Sequence, residues 1–426
     1  MKKERFLSWD NLFATIVVFG VLQFLPIIFT IDFLDPIQNT IEDFNPSDVV
    51  FSQFRNYDNI ETDSNIVLIN LAYLDRKGIA DLLNIINEFH PKAIGIDSFF
   101  PEPKEIDGDS ALAHALRNTK KLFLVTKIDH LNDDDKFDTI YYSHPMFLDN
   151  ANFGFANIIT DDKTGFRVVR AFSPKEIVKD SLVLFFAIEL AKLIDSNKVN
   201  KFLERNNKSE FINYKRNIYN GKYLVFDVQD IFNRDKRLSG IENKVVLLGF
   251  LGPDIRTMVF EDIFFTPMNP NYMGKAYPDM YGLVIHANVI SMILEEDYIN
   301  SLSFFIVLII TFIIIYINMA LFNYIDKKYE NLYETFNFFF VTFELVLIFT
   351  LMIFSFYWFN FSLEFREATL FGIIFSPTCF EIYHGSLKPM YLRIKKKFSR
   401  KTLKKDTKKF IDDITVSAKE EPNEMV

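Results

Sequence analysis

The chain has 426 residues, a formal net charge of −9 at neutral pH and 49% hydrophobic residues, including 49 phenylalanines. This apolar content is more than a soluble protein usually needs, so it excludes a purely soluble chain and predicts a membrane region beside one large domain. The single cysteine, Cys379, excludes an intramolecular disulfide, so the domain must depend on an ordinary hydrophobic core.

The first apolar block spans residues 11–31 and carries no charge. It is long enough to cross a hydrocarbon core of about 30 Å, so it predicts a first transmembrane helix after a cytoplasmic N-terminus, residues 1–10. A secretory signal peptide is the alternative, but its apolar region is usually shorter and ends in small residues. Here no such cleavage site follows and Pro26 lies inside the block, which favours an uncleaved anchor.

Residues 32–301 form the predicted extracytoplasmic domain. After an acidic, irregular connection, the sequence alternates apolar β-forming runs with helical patterns, in the order 65–74, 76–90, 92–100, 110–117 and 121–128. Strand, helix and strand in short succession predict parallel βαβ units. We therefore expect an α/β fold, with a mixed, partly parallel sheet and flanking helices.

The second half of this domain has shorter elements. Residues 154–159 and 166–172 flank a turn-forming segment and predict a hairpin. Residues 181–194 are strongly apolar but too short to span a membrane, so they predict a buried core helix. Residues 244–251 predict a central strand, and residues 286–294 a closing helix.

Three more apolar segments follow, at residues 302–324, 337–359 and 368–385, and each predicts a transmembrane helix. The last contains Pro377, Glu381 and His384, so a helix lying at the interface is its alternative. Four spans place every short Lys- and Arg-rich flank on the cytoplasmic side. The expected location is a bacterial cytoplasmic (inner) membrane, multi-pass, with the large domain on the periplasmic side.

Residues 386–426 form the predicted cytoplasmic tail, basic and then acidic. Its segment 388–409 holds eleven basic residues and one acid, so the rest of the chain has 36 basic and 55 acidic residues, a net charge of −19. This distribution argues against nucleic acid as a partner and favours contact with the lipid bilayer or a protein. The predicted contact residues are the following basic side chains: Lys395, Lys396, Lys397, Arg400, Lys401, Lys404 and Lys405.

Three sequence stretches carry a family resemblance: NIVLINLAYLDRKG to DGDSALAHAL, GFANIITDDKTGFRVVRAF, and NKVVLLGF to YGLVIHANVISMIL. Over residues 65–297 the chain resembles the CHASE2 family of bacterial extracytoplasmic sensor domains. The resemblance implies one helix before the sensor and three after it. Such domains typically precede histidine kinases, nucleotide cyclases or serine/threonine kinases.

The chain departs from that family pattern in two places. Asn70 and Leu71 stand where an aspartate-containing motif is usual, and residues 386–426 are too few for a kinase or cyclase. We therefore expect a stand-alone form of the family that is not itself an enzyme.

The first predicted ligand-binding set follows the strand at 92–100: Asp97, Glu102, Asp107 and Asp109. Ligands bind beyond the carboxyl ends of parallel strands in open α/β sheets, so these acids could bind a cation or a basic ligand. The alternative is structural, with Asp97 in a turn and Asp107 or Asp109 capping the next helix.

The second predicted set is Asp262, Thr266 and His286, on a loop and at the start of the closing helix. A histidine near a carboxylate would titrate close to neutral pH and could sense protons. The alternative is that His286 bonds a buried carbonyl and Thr266 fixes a turn. The histidines are scattered and no phosphate-binding loop or catalytic motif is visible, so no metal, cofactor or catalytic residue is expected.

Two functions remain open. The first is a membrane-anchored sensor or receptor subunit, expected as a homodimer, that relays a cue to a separate cytoplasmic or membrane protein. The second is a non-catalytic structural or scaffold subunit of a bacterial envelope complex, in which the domain is a protein-docking surface.

Overall fold

The computed structural model describes residues 8–22, 45–131, 137–158, 168–270, 277–363 and 367–397. The chain divides into two compact units. The first, here called the sensor unit, comprises Asn39–Ser301 and Met352–Ser362. The second, here called the helical unit, comprises Met1–Gln38, Leu302–Leu351 and Leu363–Val426.

The described strands, in chain order, are β1 Ile66–Asn70, β2 Ala93–Asp97, β3 Leu122–Leu131, β4 Phe137–Tyr141, β5 Ala151–Phe155, β6 Ala171–Phe172, β7 Lys175–Val178, β8 Ser181–Leu184, β9 Glu210–Phe211, β10 Leu224–Phe226, β11 Val245–Gly249, β12 Ile263–Phe264, β13 Met280–Tyr281, β14 Asn300–Ser301 and β15 Phe361–Ser362.

The described α-helices are α1 Trp9–Leu22, α2 Pro46–Val49, α3 Arg76–Glu88, α4 Ile106–Asn118, α5 Phe186–Ile194, α6 Ser196–Glu204, α7 Val228–Phe232, α8 Gly282–Glu295, α9 Phe304–Lys328, α10 Tyr333–Phe359 and α11 Glu367–Ile382. A π-helical turn, Val50–Phe54, follows α2.

The main sheet of the sensor unit is mixed, as expected. Its strands run in the order β10, β1, β11, β2, β3, β4, β7, β8, and β5 also pairs with the first half of β3. All pairings from β10 to β3, and the pairing of β3 with β5, are parallel, whereas β4 and β8 are antiparallel to β3 and β7. The predicted α/β class with a partly parallel sheet and flanking helices is confirmed.

The core lies on both faces of this sheet, because the central strands are buried on both sides. In β1, Ile66 and Leu68 join the hydrophobic cluster that contains α5 and α8. Val67 and Ile69 point the other way and join the cluster with α3, α4 and α7. The sensor unit is therefore a three-layer arrangement of helices, sheet and helices.

Local sequence explains where the helices begin. Asp75 caps α3 by accepting a hydrogen bond from the Gly78 N–H at 2.7 Å, as short polar residues do at helix N-termini. Helix α8 differs, because its residues from Gly282 to Leu294 are all buried. A helix that is buried on every side belongs to the centre of a large core.

One prediction for the middle of the domain is wrong, and a second is confirmed only in part. Strand β5 pairs in parallel with β3, and Ala171–Phe172 pairs with Glu210–Phe211, so the described residues of 154–172 form no hairpin; residues 159–167 lie outside the described part. The run 181–194 is split: Phe186–Ile194 forms the predicted buried helix, α5, whereas Ser181–Leu184 forms β8, which is exposed to half-buried, because apolar composition alone does not distinguish strand from helix.

The helical unit contains α9, most of α10, α1 and α11. Among the described residues, α9 and α10 are the two helices long and apolar enough to cross a membrane, by length and composition. The predicted span 11–31 is described only as far as Leu22, and the predicted span 368–385 forms the 16-residue α11 followed by a π-helical turn. The finding is thus two candidate spans rather than four.

Polar side chains in this unit pair with one another. Asn318 donates to Glu344 at 2.9 Å, and Asn323 donates to Asn11 at 2.8 Å. Thr311 and Thr369 share a hydrogen bond at 2.7 Å. Hydrogen bonding between helices is the usual fate of polar residues in apolar bundles.

Candidate functional site

Asp97 is the last residue of β2 and lies at the carboxyl edge of the parallel sheet. Its neighbour in register is Gly249, the last residue of β11. A Cβ on Gly249 would lie 3.3 Å from the Asp97 Cβ and 2.9 Å from the Leu283 Cδ1. A glycine at this place therefore allows the end of β11, Asp97 and the start of α8 to approach closely.

Asp262 reaches the same edge from a loop. Its φ of +50° lies in the left-handed region, which costs energy for a residue with a side chain and is often found at functional sites. Its backbone carbonyl accepts from the Gly282 N–H at 3.1 Å. A Cβ on Gly282 would stand 3.2 Å from both Asp262 carboxylate oxygens, so the carboxylate lies against the N-terminus of α8, where negative charge is favourable.

His286 lies one turn into α8, beneath these acids. Its Nε2 is 3.8 Å from an Asp97 carboxylate oxygen, too far for a hydrogen bond. The imidazole packs against Phe185 and Phe186, at ring distances of 4.9 and 5.3 Å. Its buried Nδ1 has no hydrogen-bond partner among the described residues. We call Asp97, Asp262 and His286 the edge site.

Burial determines the charge state of the edge site. It lowers the pKa of His286 to about 3, so the imidazole is neutral at physiological pH. Burial also raises the pKa of Asp97 to about 6. The pKa of Asp262 is raised by desolvation and then by repulsion from Asp97 and Glu261. Titration near neutral pH, predicted for His286, therefore belongs to the carboxylates.

The other acids of the first predicted set do not join the edge site. Asp109 is buried and forms an ion pair with Arg76, and it also accepts from the Lys104 N–H at 2.8 Å. Burial raises the pKa of Asp109, but these bonds outweigh it, so the pKa lies below its usual range. Glu102 and Asp107 are exposed.

Thr266 belongs to a separate turn. Its hydroxyl and its N–H both donate to the Asp279 carboxylate, at 2.5 and 2.8 Å. Burial nevertheless raises the pKa of Asp279 to about 6. Thr266 thus orders the loop before β13 and contributes no side chain to the edge site.

The edge also holds a polar network that sequence reasoning missed. The Asn70 amide donates to Asp227 at 2.9 Å and to the Gly252 carbonyl at 3.0 Å, while its oxygen accepts from the N–H groups of Ala72 and Leu251, both at 2.9 Å. Asn70 therefore satisfies all its hydrogen-bonding capacity where an aspartate was expected. The sequence signal that could have predicted this network is Asn70 itself, an amide residue at the end of an apolar strand.

A second missed cluster, here called the junction, lies within the sensor unit. Arg55 donates to Asn213 at 2.5 Å and to Asn360 at 2.9 Å, and its guanidinium lies 4.2 Å from the Phe51 ring centroid. Asn360 in turn donates to Asp297 at 2.9 Å. An open cleft of about 220 Å³ lies beside these residues.

The junction joins segments that are far apart in sequence. Lys215 forms ion pairs with Asp297 at 2.6 Å and Glu295 at 2.8 Å. Strand β14 pairs in parallel with β15, two residues after α10 ends. The junction therefore fixes residue 55, the end of α8, and the turn at residues 360–362 to one another.

The predicted basic contact residues are described in part. Lys395, Lys396 and Lys397 are exposed on a helix that continues from α11. Arg400, Lys401, Lys404 and Lys405 lie outside the described residues. The described part of the chain contains no group of three His, Cys, Asp or Glu side chains that could hold a metal ion.

Comparison with known proteins gives one match. The family model for the CHASE2 domain matches residues 58–320, more than half of the chain. This range includes β1 to β14, the edge site and part of α9. No curated protein and no solved structure matches the chain.

Proposed function

The chain belongs to the CHASE2 family of extracytoplasmic sensor domains, and from that membership we propose that it is a membrane-anchored receptor subunit. In this proposal the sensor unit receives a periplasmic or extracellular cue. The helices relay it to a separate cytoplasmic or membrane protein, and the chain itself catalyses no reaction.

The junction is the observation that carries the relay. Arg55 directly follows the π-helical turn after α2, β14 precedes α9, and Asn360 follows α10. Hydrogen bonds and a strand pairing connect all three within the sensor unit. A rearrangement of the domain would therefore reach the ends of several helices at once, which is how packed elements with two arrangements transmit binding energy.

We further propose four membrane spans, at residues 11–31, 302–324, 337–359 and 368–385, in a bacterial cytoplasmic membrane. Support comes from α9 and α10, which are long enough to span. It also comes from the shared core of the helical unit, where Ala14 and Val18 cluster with Ile315 and Cys379. Lys327 and Lys328 end α9, which favours a cytoplasmic position for that end.

Cys379, the single cysteine of the chain, permits a direct test of the relay. It is 2% exposed, so its alkylation rate reports on the packing of the helical unit. Arg55→Gln removes the bonds to Asn213 and Asn360 and should change that rate several-fold. Arg117→Gln is the matched control, because Arg117 makes an exposed pair with Asp149 and should leave the rate unchanged.

Mild-detergent purification with quantitative mass spectrometry then identifies the partner. Recovery of a kinase, cyclase or response protein, with occupancy altered by Arg55→Gln, supports the receptor subunit. Recovery of a fixed, stoichiometric set of envelope proteins, indifferent to Arg55→Gln, would favour the scaffold subunit. Equal Cys379 alkylation in both variants would contradict the relay.

A further inference from the structure

Buried acids of the sensor unit are satisfied either by an arginine or, as for Asp63 and Asp279, by hydroxyl and N–H donors. Asp48, Asp109 and Glu210 each pair with an arginine, at Arg170, Arg76 and Arg205 respectively. Asp97 and Asp262 have no lysine or arginine partner among the described residues. Two carboxylates held together without a cation form an uncompensated negative charge.

The imidazole beneath the pair is also left without bonds. His286 has a side chain only 2% exposed, and it neither reaches Asp97 for a hydrogen bond nor finds a partner for Nδ1 in the described residues. Buried polar groups are bonded in most proteins, so an unbonded one calls for an explanation, of which a bound water, ion or ligand is one. The side chains of Asp97 and Asp262 remain open to solvent, 16% in the case of Asp97.

Aromatic side chains contact the chain neighbours of the edge site. Tyr73 is 65% exposed, lies 5.3 Å from the Phe250 ring and donates to Glu261, the neighbour of Asp262, at 3.2 Å. Phe250 contacts Tyr281 edge-on at 6.0 Å. Electron-rich ring faces beside carboxylates attract organic cations, because cation–π and ionic attraction act together.

We propose that the edge site binds the ammonium group of an organic amine, whose apolar body rests on Tyr73 and Phe250. The amine would be the cue itself, so this inference rests on the proposed sensor function. A metal ion fits less well, because Asp97 and Asp262 offer fewer oxygen ligands than Ca²⁺ requires and no three-residue metal group occurs in the described chain.

The rival source of positive charge is the chain itself. Arg167 and Lys275 lie outside the described residues, close in sequence to Val168 and Tyr277. If either side chain neutralises the acids, an external amine has nothing to add. The experiment therefore includes Arg167→Gln and Lys275→Gln.

Isothermal titration calorimetry of the full chain in nanodiscs tests the proposal with phenethylamine as the probe and 2-phenylethanol as its neutral counterpart. The amine should bind at least tenfold more tightly than the alcohol. Asp97→Asn and Asp262→Asn should each weaken amine binding at least tenfold. Asp107→Asn, an exposed acid outside the edge site, should not change the affinity for the amine.

A second probe asks whether the ammonium belongs to a small amine or to a lysine of another protein. Nα-acetyl-lysine methylamide carries the same ammonium as a protein's lysine, so the tighter-binding of the two amines identifies which source the site prefers.

Three results would overturn the inference: equal affinity for amine and alcohol, heat from CaCl₂ but none from the amine, or amine binding that appears only after Arg167→Gln or Lys275→Gln. The Cys379 alkylation rate separates this inference from the sensor function. No amine binding together with an Arg55→Gln effect refutes the ligand and leaves the receptor standing. Amine binding without any change in Cys379 reactivity would confirm the ligand and refute the receptor function.

Discussion

Two opposite faces of helix α8 treat their buried polar residues in opposite ways. Near its N-terminus His286 has no hydrogen bond among the described residues. Two residues later, on the opposite face, Asn288 makes five, accepting from the N–H groups of Lys215 and Arg216 and donating to the carbonyls of Arg216 and Val284 and to the Met280 sulfur. Ser291 donates to Asp63 at 2.5 Å and shares a bond with Tyr223 at 3.2 Å.

This difference separates polar groups that build the domain from those that remain for a ligand. A fully satisfied buried network fixes one arrangement of its surroundings, because every lost bond leaves a buried donor or acceptor unpaired. A buried polar group without a hydrogen bond loses its bonds to water on folding, and no protein bond compensates this loss of free energy. The face of α8 that carries Asn288 and Ser291 is thus a structural joint, whereas the face that carries His286 has unused binding capacity.

The largest expected effect comes from placing leucine in turn at His286 and at Asn288, on the two opposite faces of α8. Asn288→Leu leaves the Lys215 and Arg216 N–H groups buried without acceptors, and we expect it to lower the free energy of unfolding by about 3 to 5 kcal/mol. His286→Leu removes no hydrogen bond and keeps an apolar contact with Phe185, so we expect a change within about 1 kcal/mol. Denaturant unfolding of the two variants measures both.

The contrast between the two residues is refuted if His286→Leu destabilises the protein as much as Asn288→Leu does. A loss at His286→Leu as large as at Asn288→Leu would mean that the imidazole has a structural bond to residues outside the described part. The edge site would then be an ordinary structural cluster.

The second largest effect concerns the hydrogen-bond network of Asn70, which lies at the same carboxyl edge of the sheet as the edge site. Asn70→Asp would place a carboxylate where an amide now donates to Asp227. Repulsion between the two acids should lower the free energy of unfolding at pH 7 by about 2 to 3 kcal/mol and raise a carboxyl pKa. Thermal unfolding at pH 5 and pH 7 should show the loss mainly at the higher pH.

A double variant that exchanges the amide of Asn70 and the carboxylate of Asp227 is the control for this prediction. Asn70→Asp combined with Asp227→Asn restores a donor and an acceptor between the two positions, so part of the lost stability should return. If the double variant is no more stable than Asn70→Asp alone, the Asn70 to Asp227 bond is not what holds this edge.

Sequence patterns identified the elements whose burial is local and periodic. The order β1, α3, β2, α4, β3 followed from apolar runs and helical spacing, and so did the position of Asp97 at a strand end. The convergence of Asp97, Asp262 and His286 depended on strand order, since β11 and α8 come back beside β2 after more than 100 residues. The pairing of Asp109 with Arg76 and the junction at Arg55 involve contacts that no periodicity encodes.

The smallest effect is the pH response of Asp97. Its folded-state pKa of about 6 exceeds the ordinary 3.8, so the folded state binds the proton more tightly than the unfolded state. Stability from this group is present below about pH 4 and is lost as the pH rises to about 6. Asp97→Asn should remove the loss and leave the variant about 1 to 2 kcal/mol more stable than the parent at pH 7.

The difference between parent and variant, measured by denaturant unfolding from pH 4 to pH 7, reports on Asp97 together with Asp262, whose pKa is raised in part by repulsion from Asp97. Asp279 has a raised pKa with the same sign and Asp109 a lowered pKa with the opposite sign, but both are present in each protein and cancel. Asp107→Asn should give a flat difference. A flat difference for Asp97→Asn as well would mean that Asp97 already has a cationic partner. The edge site would then have no uncompensated charge for a ligand, and the contrast between the two faces of α8 would be lost.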